Sequence, residues 1–179
     1  ANARHRIEHA SVVNDAIIAR IKDLGLCIAP HSYLLNHGGK LDGYGEARFE
    51  SIEPNRLALA AGICVGGTSD HPVSPPQVMQ RIQSLVTRRA ASNGRVYGPG
   101  QRLSVEAALR TFTMGSAYLQ FEESERGSIT PGKRADMVLL SADPAAVDPE
   151  RIGAIRVLRT IIGGKTVYDA SGATPRFSF

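Results

Sequence analysis

Several things are scarce in this 179-residue chain, and each scarcity removes a class of function. Cysteine occurs twice, at Cys27 and Cys64, both inside apolar, strand-like runs. Buried, reduced thiols are expected there rather than a disulfide, and no paired-cysteine metal site is expected at that separation. Long apolar runs are absent: nothing approaches the ~18 residues of a membrane span, and Ala1-Asn2-Ala3-Arg4-His5-Arg6 offers no signal-peptide core. No membrane partner is expected, and the expected compartment is cytoplasmic. Aromatics make up 6% of the residues, and only Tyr97 falls inside the loose arginine cluster Arg81, Arg88, Arg89, Arg95, Arg102 and Arg110. A nucleic-acid surface needs basic side chains interleaved with stacking rings, so the net charge of +4 reads as solvated faces and no nucleic-acid partner is expected. Histidine is missing from residue 72 onward, so His5, His9, His31, His37 and His71 all belong to the first part of the chain.

What is present centres on Gly66-Gly67-Thr68-Ser69-Asp70-His71-Pro72, entered from the apolar run Ile63-Cys64-Val65. In an α/β barrel the loops at the carboxyl ends of the strands hold the chemistry, so a carboxylate just past a strand is a candidate catalytic group. Asp70 is that carboxylate. The two glycines let backbone or ligand approach closely beneath it, and Pro72 restricts the residue before it. The alternative for Asp70 is a cap on the segment that begins at Ser74.

The pattern upstream is strand, helix, strand. A short strand over 4–9 feeds a helix over 11–24 with Val13, Ile17, Ile21 and Leu24 at helical spacing and Gly25 as its stop. Leu26-Cys27-Ile28-Ala29-Pro30 then reads as a buried parallel strand. The glycine-rich stretch 31–50 is long for an unstructured connection and reads as a lid. A helix over 55–61 leads to the strand ending at Asp70. Downstream, Pro75-Pro76 opens a helix to about residue 89 with Val78, Met79, Ile82, Leu85 and Val86 on one side. A polar link over 91–101 reaches Ser104, the N-cap of a helix over 105–121 that buries Leu109, Phe112 and Leu119. From about residue 123 the character changes: a strand over 135–140, then 157–162 and 165–168 around Gly163-Gly164, a pair suited to a tight hairpin turn. The division expected is therefore an α/β part, 1–122, and a small β part, 123–179.

His9 and Asp70 each follow a predicted strand, which places both on one rim of a parallel sheet. Imidazole plus carboxylate is the ligand chemistry of zinc and related divalent ions, and a carboxylate beside such an ion can take a proton from water. A strand-end histidine can equally be structural, so His9 stays open between the two on spacing alone. His31 and His71 border the same rim and stay open between substrate-binding groups and solvated loop histidines, and His37 reads as a solvated loop residue.

Arg4-His5-Arg6-Ile7-Glu8-His9, then Gly67-Thr68-Ser69-Asp70-His71-Pro72-Val73-Ser74-Pro75, then Gly127-Ser128-Ile129 with Gly132-Lys133-Arg134-Ala135-Asp136, resemble in this order the carboxyl-terminal portion of a metal-dependent amidohydrolase. The branch is family 3, which includes enzymes like N-substituted formamide deformylase. The resemblance implies a (β/α)8 TIM-type barrel joined to a small β-sandwich, present here as the last three strand-helix units and part of the sandwich. It implies that His9 is the metal ligand after the sixth strand and that His31 ends the seventh facing the site. Asp70, after the eighth, would contact the metal and act as general base and then acid. The implied reaction is hydrolysis of a carbon–nitrogen bond in a small amide-type substrate with a divalent metal, zinc.

The His-X-His pair of the family's first strand and the ligands after its fourth and fifth strands have no counterpart here. The expectation is a fragment inactive alone, completed by a missing amino-terminal half or by self-association. A non-catalytic assembly fragment is the alternative; a lyase or isomerase on the same barrel is another.

Overall fold

The computed structural model describes residues 3–31, 34–35 and 38–172. Its first layer is a parallel sheet. Strand β1 (Arg6–Glu8) pairs with β2 (Cys27–Ala29) in the register Arg6↔Cys27, Ile7↔Ile28, Glu8↔Ala29. The stretch expected as the next strand, 63–65, is extended but makes only an isolated parallel bridge, Ile28↔Val65. It is held by Ile28 N–H to Cys64 O (2.9 Å) and Gly66 N–H to Ile28 O (3.1 Å). The spatial order is β1, β2, 63–65, all running the same way.

The connection from β1 to β2 is helix α1 (Asp15–Asp23), shorter than the helix expected over 11–24. Asn14 is its cap: Asn14 Oδ1 accepts from Ile17 N–H (3.0 Å). Residues 11–13 are instead spent on extended pairing, with Val12 bridged to Ile52, Val13 N–H to Ser51 O and Glu53 N–H to Ser11 O. The buried face consequently turns to Ile18 and Ile21, whereas Ile17 and Leu24, expected inside, are 43% and 53% exposed. Ile18, Ile21, Ile28, Ala58, Ile63 and Val65 form the core between α1, β2 and helix α2 (Asn55–Ala60).

The lid expected over 31–50 is a packed lobe. Two 3-10 turns, Gly38–Tyr44 and Glu46–Ser51, close around Leu34, Leu41, Phe49, Ile52, Ala90 and Tyr97. Gly38 is needed there, because a Cβ would sit 2.4 Å from Ala90 Cβ. Arg95 clamps the lobe through Asp42 (2.8 Å) and Glu46 (2.6 Å). Spacing rules missed it because its apolar residues follow neither a strand nor an α-helical period.

Helix α3 (Val78–Thr87) begins after the two prolines, whose carbonyls accept from Gln77 and Val78 in turns before the helix proper. It buries Ile82 and Leu85, while Val78, expected inside, is 42% exposed. The helix expected over 105–121 is interrupted: α4 (Val105–Arg110), a π-helical turn (Thr111–Gly115) and α5 (Ser116–Leu119). Ser104 Oγ caps α4 through Ala107 N–H (3.1 Å). The interruption coincides with Thr111 O, which accepts from Ser116 N–H inside the π turn and also from Gly67 N–H (2.8 Å) in the loop below Asp70.

The β module is a meander of β3 (Met137–Leu140), β4 (Val157–Ile162) and β5 (Lys165–Asp169). Gly163 and Gly164, at φ +55° and +78°, make its hairpin turn. The 3-10 turn Pro149–Ala154 reaches back to α3, where Ile152 packs with Ile82 and Leu85 and Gly153 N–H donates to Gln83 Oε1 (2.7 Å). Among the described residues no helix is long and apolar enough to cross a membrane.

Two of the arginines expected on solvated faces are wholly buried, Arg81 and Arg88. Full burial of arginine requires partners for its donors. Arg88 finds them in the carbonyls of Tyr97 (2.9 Å), Glu53 (3.2 Å) and Ile52 (2.6 Å).

Candidate metal centre

Each parallel strand delivers one side chain to the same rim. His9 follows β1, and its N–H closes on Ala29 O (3.0 Å); His31 lies two residues past β2; Asp70 ends the loop that leaves 63–65. Thr68 N–H to Pro30 O (3.1 Å) stitches that loop to the end of β2. His9 and Asp70 sit at φ +66° and +59°. Left-handed backbone is uncommon outside glycine, is tolerated best by Asn, Asp and His, and concentrates at functional sites.

The result is a tight donor group. His9 Nε2 lies 3.9 Å from Asp70 Oδ1, and the His9 and His31 rings meet edge to face with centroids 4.5 Å apart. One ligand atom from each of His9, His31 and Asp70 lies within 4.8 Å of the other two. His31 is buried, whereas the His9 and Asp70 side chains are 46% and 28% exposed, so the group is open on one side. Two imidazoles and a carboxylate are a donor set for a divalent metal, whose ligands at ~2.0–2.2 Å stand slightly closer together than these do. His71 is exposed and lies outside the group; His37 falls outside the described residues.

Asp70 does not cap the following segment with its carboxylate. The amides of Val73 (2.8 Å) and Ser74 (3.3 Å) are taken by its main-chain oxygen. Below it, what approaches the paired glycines is the α4–α5 region. A Cβ on Gly66 would meet Leu119 Cδ1 at 2.3 Å and one on Gly67 the Phe112 ring at 2.7 Å, while one on Gly115 would meet Val65 O at 2.1 Å.

Arg81 is the neighbour that sequence reasoning missed. It is fully buried and donates to the main-chain oxygens of His31, Ser69 (3.0 Å) and Pro75 (2.9 Å). Burial pushes its guanidinium below the ordinary value, opposed by the Glu53 and Asp70 carboxylates, and it stays charged. The signal was its place in the stripe Val78, Arg81, Ile82, Leu85, at i, i+3, i+4 and i+7 of a core-facing helix. At the opposite end of the strands, burial first and Cys27 second push the Cys64 thiol up to about 12; both cysteines are free thiols.

The fold is shared with metal-dependent hydrolases. An uncharacterised metal-dependent hydrolase from Pyrococcus horikoshii superposes with a TM-score of 0.72 at 25% identity, over 82% of this chain and 30% of its own. The chain belongs to the amidohydrolase family, whose model matches residues 1–168. It is 33% identical over 175 residues to YtcJ of Bacillus subtilis, provisionally named an amidohydrolase, covering 95% of this chain and 33% of that protein. It is 30% identical over 177 residues to N-substituted formamide deformylase of Arthrobacter pascens, covering 94% of this chain and 31% of that enzyme. The chain thus spans about a third of the length of the curated relatives it matches.

Proposed function

We propose that this chain is the carboxyl-terminal, metal-bearing part of a hydrolase of carbon–nitrogen bonds in small amide-type molecules. In this reading residues 1–122 are the last three strand-helix units of a (β/α)8 barrel and residues 123–179 part of a β-sandwich. The observation that carries it is the convergence of His9, His31 and Asp70 on one rim, within 4.8 Å. Catalytic centres of such barrels lie at that rim.

His9 and Asp70 would hold the metal, with His31 close enough to serve as a third donor or to orient substrate. Zinc suits imidazole and carboxylate donors, and bound there it supplies Lewis-acid activation of water and of the substrate carbonyl. Asp70 does the proton work: its exposed carboxylate oxygen takes a proton from the attacking water and returns it to the leaving nitrogen. His71, on the solvent side of the same turn, is the candidate contact to substrate entering the open face. The ligands of the remaining strands come from outside these residues, through the preceding part of a longer protein or a second copy, and the chain alone is inactive.

Zinc per chain, measured by elemental analysis on wild type and Asp70→Asn after reconstitution and dialysis, tests this reading. Near-stoichiometric zinc that falls away in a variant with unchanged thermal unfolding supports it. Equal zinc in both, or none in either, refutes the assignment of these residues as a working metal site.

A further inference from the structure

We infer that Arg81 is the positioning residue of the rim, setting the backbone from which His31 and Asp70 project. The inference rests on the metal-site reading above and adds to it a residue that touches neither metal nor substrate.

Three segments meet on one guanidinium. The His31 carbonyl belongs to the end of the β2 segment, the Ser69 carbonyl to the loop from 63–65, and the Pro75 carbonyl to the entrance of α3. The Ser69 contact is the informative one, because Ser69 O and Asp70 N share a single peptide plane. Arg81 grips that plane by its oxygen, and Thr68 Oγ1 accepts from Asp70 N–H at 3.3 Å on the opposite edge. With the next peptide plane held in turn by Asp70 O accepting from Val73 N–H (2.8 Å) and Ser74 N–H (3.3 Å), the left-handed φ of +59° at Asp70 is fixed and the carboxylate is sent toward His9. The His31 contact holds the main chain at the end of the neighbouring strand by its carbonyl.

The chemistry needs arginine. A guanidinium presents its donors in a rigid fork and reaches several carbonyls at fixed angles, whereas an ammonium is a point charge on a flexible stem. Burying the group completely is costly unless its donors find partners, as they do here in three carbonyls, and a simple core position on α3 would take leucine. The Asp70 carboxylate also attracts Arg81 through space.

The test uses the full 179-residue chain with Arg81→Gln, Arg81→Lys and, as a control of comparable stability loss, Ile152→Ala, which opens a cavity against the same helix. Two readouts are taken at a temperature where circular dichroism shows each variant folded. One is a Co2+ titration followed by its visible d–d bands. The other is the nuclear Overhauser contact between the His9 and His31 rings in metal-free protein.

Loss of a residue that orients ligands weakens metal binding by about 10–100-fold. That loss, with a vanished ring contact, is expected for Arg81→Gln; Arg81→Lys falls between it and wild type, and Ile152→Ala matches wild type in both. Wild-type Co2+ affinity and an intact ring contact in Arg81→Gln overturn the inference, as does an equal effect of Ile152→Ala. If wild type binds no Co2+, the metal reading fails on its own and the ring contact still decides the role of Arg81. If Arg81→Gln does not fold, Arg81→Lys decides, and wild-type values in both readouts overturn the inference.

Discussion

Replacing Gly115 by alanine adds one methyl group at the point where the π turn presses on the strand that leads to Asp70. The new Cβ would stand 2.1 Å from Val65 O, against ordinary contact of 3.4 Å or more, so either the helix or the strand must move by more than an ångström. Neither can do so freely. Val65 is fixed by its bridge to Ile28, and on the helix side Gly67 N–H to Thr111 O (2.8 Å) and the buried Ala117 and Leu119 hold the spacing. Overpacking of this kind costs ~1–3 kcal/mol, and straining or losing the Gly67 hydrogen bond adds ~1 kcal/mol. A total of about 3 kcal/mol is a large share of the ~5–15 kcal/mol that holds a domain together. Urea unfolding followed by circular dichroism should show the midpoint falling by about 1–3 M for slopes of ~1–3 kcal/mol per M. The companion variant is Gly43→Ala, where nothing lies within 4 Å of the new methyl and a gain of up to ~1 kcal/mol is expected from a stiffer unfolded chain. A Gly115→Ala protein within ~0.5 kcal/mol of wild type, or equal losses at both glycines, would refute the close approach of helix and strand.

Further expectations follow from Arg88 and Cys64. Arg88→Leu strips the carbonyls of Tyr97, Glu53 and Ile52 of their donor and removes the charge facing Glu53, so a loss of about 3–5 kcal/mol is expected in thermal or urea unfolding; a loss under ~1 kcal/mol would show that water satisfies them. Cys64 should react with a thiol reagent at pH 8 far more slowly in folded than in unfolded protein, because its folded-state value lies near 12 against the ordinary 9.0. The sign for stability follows: the thiol is favoured in the folded state, so this contribution is intact below about pH 9 and is lost as pH rises from there toward 12. Cys64→Ala should flatten that alkaline limb, and an unchanged limb would assign it to other groups.

The parts of the fold legible in the sequence were those governed by local rules. Gly25, Ser104 and Gly163-Gly164 act through backbone freedom or a single cap, and each does in the structure what its residue type dictates. His9 and Asp70 could be placed on one rim because a parallel strand order fixes where carboxyl ends lie. The parts that were not legible depend on partners distant in sequence. Residues 11–13 read as the first turn of a helix until Ile52 and Ser51 claim them for extended pairing. Arg81 and Arg88 resemble any other arginine in composition, and only the carbonyls they meet, up to 50 residues away, distinguish them. Gly66 and Gly67 announced a close approach but not its source, which is Leu119 and Phe112 from a helix some fifty residues downstream. The fate of 31–50 was hidden because a core built on irregular turns has no period to read.

That lobe has a consequence of its own. Its interior, Leu34, Leu41, Phe49, Ile52, Ala90 and Tyr97, shares no member with the cluster under the rim, Ile18, Ile21, Ile28, Ala58, Ile63 and Val65. What joins the two is a backbone strap: Val12 bridges Ile52, Val13 N–H donates to Ser51 O and Glu53 N–H to Ser11 O, directly after His9. Side chains inside the lobe, which touch none of the rim's core, can therefore drift more freely than residues 51–53, where any shift of the chain is handed straight to the segment that follows His9.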